Sequence, residues 1–416
     1  MTTVGVIAEY NPFHNGHLLQ LREIRRRFPD AGIIVAMSGS FTQRGTVAVL
    51  DKWRRAEAAV RHGASLVLEL PVVFATRSAQ YFASGGVRLF DRLGVVDLLA
   101  FGSECDNLAK LQSIRKKIEA AENDGFKNRL RDGGSYAAAL TKTAAPDDLV
   151  RQPNVILALE YLRALSHIDS PVVPLPLPRF NAGHHEQHLP AIDTETAVAS
   201  ASAIRAALSA FLAGADKSLD DALRVVPDVT KEMLLRAKAH GFNDSSMLFR
   251  PVLSRILADE TNVLRSIVGV SEGLEHRLRR AAFPSRSYDE LIEAVQSKRY
   301  PRARIRRLLL HLLLGLSADD AESFNEQGPL YARVLAFNDD GRRLLRNIKK
   351  RAEIPVVART ARFLPMHALK SGVLSPAQKM LSFDLRATAL ASLTSIPVGC
   401  PPANADFSVS PIYLTI

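Results

Sequence analysis

A doubly wound parallel α/β sheet followed by a mainly α-helical domain is the architecture that this 416-residue sequence predicts. Three observations carry the prediction. Short runs rich in Val, Ile and Leu alternate with helix-forming stretches through the first half. Beyond about residue 218 the β-type runs stop, and Leu, Arg and Ala recur at helical spacing to about residue 350. With 47% hydrophobic residues the chain has enough apolar surface for two or three domains. The expected division is 1–217, 218–394 and a Pro-rich, poorly packed tail at 395–416.

Taken in order, the strands fall at 4–7, 32–37, 65–70 and 95–101. The helices between and after them fall at 17–27, 51–61, 78–93 and 107–122, each ending near a Gly, Pro or Asp that can stop it. A fifth strand at 171–177 precedes a helix at 201–212. Open α/β sheets bind ligands beyond the carboxyl ends of their strands, so the loops after strands one and four face one crevice. His14 and His17 lie on the first loop; Gly102, Ser103 and Glu104 lie on the second. In the second half, 308–314 is an apolar run shorter than the roughly 20 residues that span a bilayer, and reads as a core helix. Residues 354–364 read as a returning strand and 381–393 as a helix; there is no internal repeat and no sustained heptad.

The net charge of +11 favours an acidic partner, and nucleic acid over a membrane, because no basic amphipathic terminal helix accompanies the charge. Cys105 and Cys400 lie too far apart in sequence for a zinc knuckle or disulfide framework, and the chain opens on a strand without a signal-peptide pattern. Those features fit a cytoplasmic protein.

The turn from the first strand to the first helix carries the sharpest chemistry. His14 enters from the loop and His17 from the first helical turn, so a phosphate at the helix N-terminus meets two donors plus backbone amides, and Gly16 permits a close backbone approach. This resembles the H-x-G-H signature of the nucleotidyltransferase superfamily, which implies a Rossmann-like fold and attack on the α-phosphate of a nucleoside triphosphate with release of pyrophosphate.

Further segments are similar to one family, the tRNA(Met) cytidine acetate ligases. They are A-E-Y-N-P-F-H-N-G-H from Ala8 to His17, S-G-S-F-T-Q-R-G from Ser38 to Gly45, G-A-S-L-V-L-E-L-P from Gly63 to Pro71, and F-G-S-E from Phe101 to Glu104. The helix opening at Asn154, the S-A-S-A-I-R stretch from Ser200 to Arg205, the E-G-L-E from Glu272 to Glu275 and the basic segment from Lys298 to Arg307 extend the likeness to about residue 393. Pro301 and Ala303 replace hydroxylated residues of the family's basic segment, and the tail beyond about 395 has no counterpart.

The resemblance implies an ATP-dependent ligase that activates acetate as acetyl-adenylate and acetylates the exocyclic amine of the wobble cytidine of elongator tRNA(Met), giving N4-acetylcytidine. ATP enters as a substrate carrying Mg2+, with no tightly bound protein metal. His14 and His17 are the implied catalytic donors. Ile7, Ala8, Glu9, Tyr10, Asn11, Pro12, Phe13, Asn15 and Gly16, with Gly102, Asn154 and Arg179, are the implied ATP-binding set. On residue chemistry alone, the alternative for Tyr10, Asn11 and Phe13 is turn-building and core packing, for Gly102 a plain turn glycine and for Asn154 a helix N-cap. Ser200, Ser202 and Arg205 suit β- and γ-phosphates, or simply cap a helix.

Lys298, Arg299, Arg302, Arg304, Arg306 and Arg307, with Tyr300 among them, suit tRNA phosphates and one stacking contact, against the bland reading of a solvated helix face. A second cluster, Arg342, Arg343, Arg346, Lys349, Lys350 and Arg351, divides evenly between the two readings. His184, His185 and His188 with Glu186 read as a solvated loop rather than a metal cluster, lacking a second ligand group at a diagnostic spacing. Two rival functions stay open: a small-molecule nucleotidyltransferase of cofactor synthesis, and a non-catalytic ATP-binding RNA-binding protein.

Overall fold

The computed structural model describes residues 2–121, 149, 152–179, 198–215, 217–240, 242–396 and 402–415. Strands β1 (Thr3–Ala8), β2 (Gly32–Ser38), β3 (Leu66–Leu70), β4 (Leu98–Ser103) and β5 (Val173–Pro178) lie in the order β3-β2-β1-β4-β5 and are all parallel. Alternation along β2 explains its position: Ile34 and Ala36 enter one core, Ile33, Val35 and Met37 the other, as a strand covered on both faces requires. Helices α3 (Val72–Ala75), α4 (Ala79–Leu93), α5 (Leu108–Ala121) and α6 (Pro153–His167) contribute to the first core; α1 (Asn15–Arg27), α2 (Lys52–Arg61) and α7 (Ala201–Leu212) to the second. Gly86 lets α4 press against β1, since a Cβ there would stand 2.4 Å from the Ile7 side chain.

Helices α8 (Lys217–Leu223) and α9 (Asp228–His240) lead to a short strand β6 (Phe242–Asn243). A helical cluster follows: α10 (Phe249–Ala258), α11 (Thr261–Ser266), α12 (Leu274–Ala282), α13 (Tyr288–Val295), α14 (Arg302–Leu314) and α15 (Ala318–Gln327). The 308–314 run is buried core in α14, apart from a half-exposed Leu313.

The sharp end to β structure near residue 218 needs correction. Strand β7 (Ala332–Asn338) pairs antiparallel with β3, and β8 (Val356–Val357), inside the 354–364 run, pairs with β7. Between them α16 (Asp339–Arg351) packs on the same sheet, and α17 (Thr360–Phe363), α18 (Met366–Ser371) and α19 (Pro376–Ser392) follow. The span 218–394 therefore shares a sheet and a core with the first half.

The tail also departs from expectation. After β9 (Ser395–Ile396), which pairs with β6, helix α20 (Ala405–Ser408) and strand β10 (Ile412–Leu414) return, and β10 extends the sheet beside β7. The reason is a buried cluster of charges. Lys52 Nζ lies 2.8 Å from Glu69 and 2.7 Å from Asp406; Arg333 lies 3.0 Å from Glu69 and 2.6 Å from Asp406. Burial alone would raise the Asp406 carboxyl, but Lys52 and Arg333 hold it down to about 2. Asp384 accepts from the Val72 amide at 2.7 Å and from the Tyr331 hydroxyl; burial and the nearby Glu69 charge push its pKa up to about 7.

Replacing Asp406 by Ala leaves two buried cations sharing one close carboxylate, and removing one partner of such a set typically destabilises by about 3–5 kcal/mol. Urea unfolding of Asp406→Ala followed by circular dichroism should show a loss of that order; a loss within about 0.5 kcal/mol, as at an ordinary surface position, would show that the tail does not hold the sheet.

Candidate active site

His14 is the N-cap of α1, and its geometry determines its chemistry. Its Nδ1 accepts from the Gly16 amide at 3.1 Å, while His17 Nδ1 accepts from the His14 amide at 3.2 Å, closing a reciprocal capping box. The two rings stack with centroids 3.7 Å apart. Burial, then Arg179 and Arg205, lowers His14 to about 3; burial, then His14 and Arg179, puts His17 well below its ordinary value. Both rings are neutral at physiological pH. Since each Nδ1 accepts, each proton sits on Nε2, and the pair presents two N–H donors at a helix N-terminus.

The rest of the turn builds this arrangement. Tyr10 has φ +48° and a fully buried ring 4.8 Å from the His17 ring, and the Asn11–Pro12 peptide is cis. Phe13 stacks on His62 at 5.0 Å, and the Asn11 Oδ1 accepts from the Val49 amide at 2.9 Å. Asn15 is buried, its amide 3.4 Å from the Val225 carbonyl. The rings of Tyr10 and Phe13 and the Oδ1 of Asn11 are thus engaged within the turn, while the Tyr10 hydroxyl and Asn11 Nδ2 are buried without a hydrogen-bond partner. The Glu9 carboxylate accepts from the Gln43 amide at 2.6 Å, which joins the turn to the 38–45 loop.

The other implied nucleotide residues lie around the same crevice. Gly102 belongs to the end of β4, paired with Leu177, and not to a loop. A Cβ at Gly102 would stand 3.4 Å from Arg179 Cγ. Glu104 gathers its neighbours: Asn154 Nδ2 donates to its Oε1 at 2.6 Å, and Arg179 Nη1 lies 3.4 Å from the same oxygen. Asn154 sits in the first turn of α6 and is not its N-cap, a position held by Gln152. Ser200 does cap α7, accepting from the Ala203 amide at 3.1 Å, whereas Ser202 is exposed. Arg205 donates to the Asn11 carbonyl at 2.9 Å and to Ser202 Oγ at 3.2 Å, which ties α7 to the His turn.

Arg55 carries no signal in the sequence yet supports this site. Fully buried, it donates to the carbonyls of Leu50 at 3.0 Å, Glu9 at 2.6 Å, Ser38 at 3.0 Å and, in addition, Gly39.

The basic segment is divided. Arg299 pairs with Glu272, Arg302 with Asp289 and with Glu293 at 3.2 Å, and Arg306 lies 3.8 Å from Asp289. Tyr300 is buried with Arg304 across its ring at 4.6 Å, so the stacking contact expected of it is already made within the chain. Lys298 is exposed. Arg307 Nη1 lies 3.4 Å from the Gln43 carbonyl, and a Cβ at Gly45 would stand 2.5 Å from the Arg307 amide; the start of α14 therefore abuts the loop that Glu9 holds. The second cluster is exposed along α16, with Arg343 paired to Asp340. His184, His185, Glu186 and His188 lie outside the described residues.

A crevice with neutral imidazole donors at a helix N-terminus, ringed by guanidinium groups, on a 3-2-1-4-5 parallel sheet defines a nucleotidyl transferase. Consistent with this, the HIGH Nucleotidyl Transferase family matches residues 1–398, and the chain belongs to it. Within that family it belongs to the tRNA(Met) cytidine acetate ligases. It is 35% identical to the tRNA(Met) cytidine acetate ligase of Syntrophomonas wolfei, covering 99% of both chains, and 37% identical to that of Caldanaerobacter subterraneus, covering 87% of this chain and 90% of the relative. Its fold matches Thermotoga maritima TmcAL bound with alpha-thio ATP, with a TM-score of 0.86, 31% identity and full coverage of both chains. No helix among the described residues is long and apolar enough to cross a membrane.

His14→Asn retains an N-cap acceptor but removes the Nε2–H donor, so acetyl-adenylate formation should fall roughly a hundredfold or more, with the melting temperature near wild type. His17→Ala should lose a similar factor; near-normal acetate-dependent pyrophosphate release by both variants would remove the rings from catalysis.

The pH dependence follows from the neutral rings. With His14 lowered from 6.5 to about 3 and His17 also lowered, native rings do not take up a proton where the unfolded chain does, so their contribution to stability is lost as pH falls from 6.5 towards 3. Across about pH 5 to 8, kcat/KM for ATP should therefore show no acid limb from these rings, and a limb near 6.5 abolished by His14→Asn would contradict the assignment.

Proposed function

We propose that this chain activates acetate with ATP and acetylates N4 of the wobble cytidine of elongator tRNA(Met). The observation that carries the reading is the pair of neutral Nε2–H donors at the start of α1, facing positive charge from Arg179 and Arg205. An acetate oxygen attacks the α-phosphorus, the bond to the bridging oxygen breaks, and pyrophosphate leaves. The cytidine amine then attacks the acetyl carbon, AMP departs and the amine loses a proton. The chain's task in the first step is to stabilise charge on the phosphates, and fixed N–H donors do this without reorganisation. His14 and His17 take that role. Gly102, Asn154 and Arg179 bound the nucleotide, and Arg205 faces the phosphates. Ser200 and Ser202 contribute at most their backbone and hydroxyl groups at the α7 terminus.

Mg2+ enters on the ATP phosphates. The carboxylates nearest the crevice support this: Glu9 accepts from Gln43, and Glu104 holds Asn154 and Arg179, so neither stands as part of a preformed metal cage. The abutment of α14 on the 38–45 loop favours an RNA substrate over a small-molecule acceptor, because it sets cations at the crevice mouth: Arg44 and Arg306 both act on Arg205.

Two measurements test this reading. Pyrophosphate release should require acetate, and mass spectrometry should find N4-acetylcytidine only in tRNA incubated with both ATP and acetate. Reversing charge at Lys298 and Arg304, which lack carboxylate partners among the described residues, should weaken tRNA binding and lower the salt slope by about 0.7–0.9 per lost phosphate contact. Unchanged affinity and slope would return the segment to a solvated helix face.

A further inference from the structure

Arg77 follows α3 and immediately precedes Ser78, the N-cap of the 15-residue helix α4. It is 8% exposed, its guanidinium carbon lies 4.2 Å from the Tyr81 ring centroid, and its Nη1 has no hydrogen-bond partner. No carboxylate among the described residues forms an ion pair with Arg77 or with Arg307, which faces it from α14. Arg77 acts on Arg307 as a like charge, and both act on His311. That imidazole cannot compensate them. Its Nε2 donates to the Thr76 carbonyl at 3.0 Å, and burial, then Arg77 and Arg307, lowers its pKa to about 3. Ser78 makes no side-chain cap bond, so the first amides of α4 lack that usual acceptor as well.

Two poorly solvated cations with an unsatisfied N–H group, beside an uncapped helix N-terminus, form an arrangement that is unfavourable alone and completed by an anion. We propose that Arg77, Arg307 and the amino end of α4 bind one backbone phosphate of the RNA substrate. This rests on the tRNA reading above and adds a contact outside the basic segment, from an element some 220 residues away in sequence. The position favours RNA over the triphosphate of ATP. Arg77 follows β3, two strands from β1 and its His turn, while Arg307 adjoins Arg304 and the 38–45 loop at the rim. A phosphate held there belongs to a chain whose base reaches the crevice.

The test uses the full chain, a tRNA(Met) transcript and the variants Arg77→Ala and Arg77→Lys. Fluorescence anisotropy at several salt concentrations should show Kd for tRNA rising several-fold in Arg77→Ala, with a salt slope smaller by about 0.7–0.9. Arg77→Lys should recover most of the slope, because it keeps the charge. Without RNA, Arg77→Ala should melt no lower than wild type, since it removes a repelling cation; a structural role would lower the melting temperature and leave the slope unmoved. Unchanged tRNA affinity and slope in folded Arg77→Ala would overturn the proposal. So would a loss of ATP affinity by calorimetry with tRNA binding intact, which would assign the site to nucleotide phosphate. If wild-type protein shows no salt-dependent tRNA binding, the functional reading itself fails, and that result is distinct from either.

Discussion

The carbonyl groups at the carboxyl ends of β1 and β2 emerge from the sheet just where the chain must turn to build a site, and Arg55 satisfies them. Its guanidinium reaches Glu9, Ser38, Gly39 and Leu50 from the buried face of α2. Burial brings its pKa down to about 10 against the raising influence of Asp51, Glu9 and Glu69, which leaves it charged at neutral pH. One side chain thus fixes the His turn relative to the 38–45 loop. Glu9 reinforces the link through Gln43, and Arg307 continues it to α14. The His turn and the basic helix are held in one frame through hydrogen bonds to backbone, which side-chain motion at the surface does not loosen.

Lowered histidine pKa values can look like a defect in a site that must bind a polyphosphate. The geometry gives the opposite meaning. Charged imidazoles stacked at 3.7 Å would repel each other and the neighbouring guanidiniums, whereas neutral rings can stack and still donate through Nε2. The positive potential comes from Arg179 and Arg205; the histidines supply direction. This separation suits a step in which charge shifts from the α-phosphate to the departing pyrophosphate, because the donors need not gain or lose a proton as it proceeds.

What was legible in the sequence tracks how local the governing physics is. The parallel strands and flanking helices are local patterns that stand within about three residues of where periodicity placed them, and the three-residue spacing of His14 and His17 does bring their rings together. Gly102 came out one step displaced, at a strand end, because the boundary of β4 depends on pairing with β5. Strand β7 was missed since Ala332–Asn338 is a short apolar run amid helical sequence; only its register against β3 makes it a strand. The tail misled for the same reason. Its prolines suggest poor packing, while the order there comes from Asp406 meeting Lys52 and Arg333, contacts between residues far apart in the sequence. Arg55 resembles any arginine on an amphipathic helix, and Arg77 any arginine in a link between helices, until their burial is known.

Counting cations overstates the positive charge that the basic segment has free for a partner. Of the six in the basic segment, Arg299, Arg302 and Arg306 have carboxylate neighbours, which must be displaced or shared before a phosphate gains from them. Lys298, Arg304 and Arg307, with Arg77, lack carboxylate partners among the described residues. Under the proposed function a patch with four such cations gives a salt slope of about −3 if all four meet phosphates, roughly a third of what twelve contacts spread over both basic clusters would produce. The paired arginines have a different use: bonded to Glu272, Asp289 and Glu293, they brace the start of α14. Under the proposed function, strength and placement are thereby divided between neighbouring residues of one short run: the cations without carboxylate partners are the ones open to phosphate, and the paired ones fix the start of the helix that carries them.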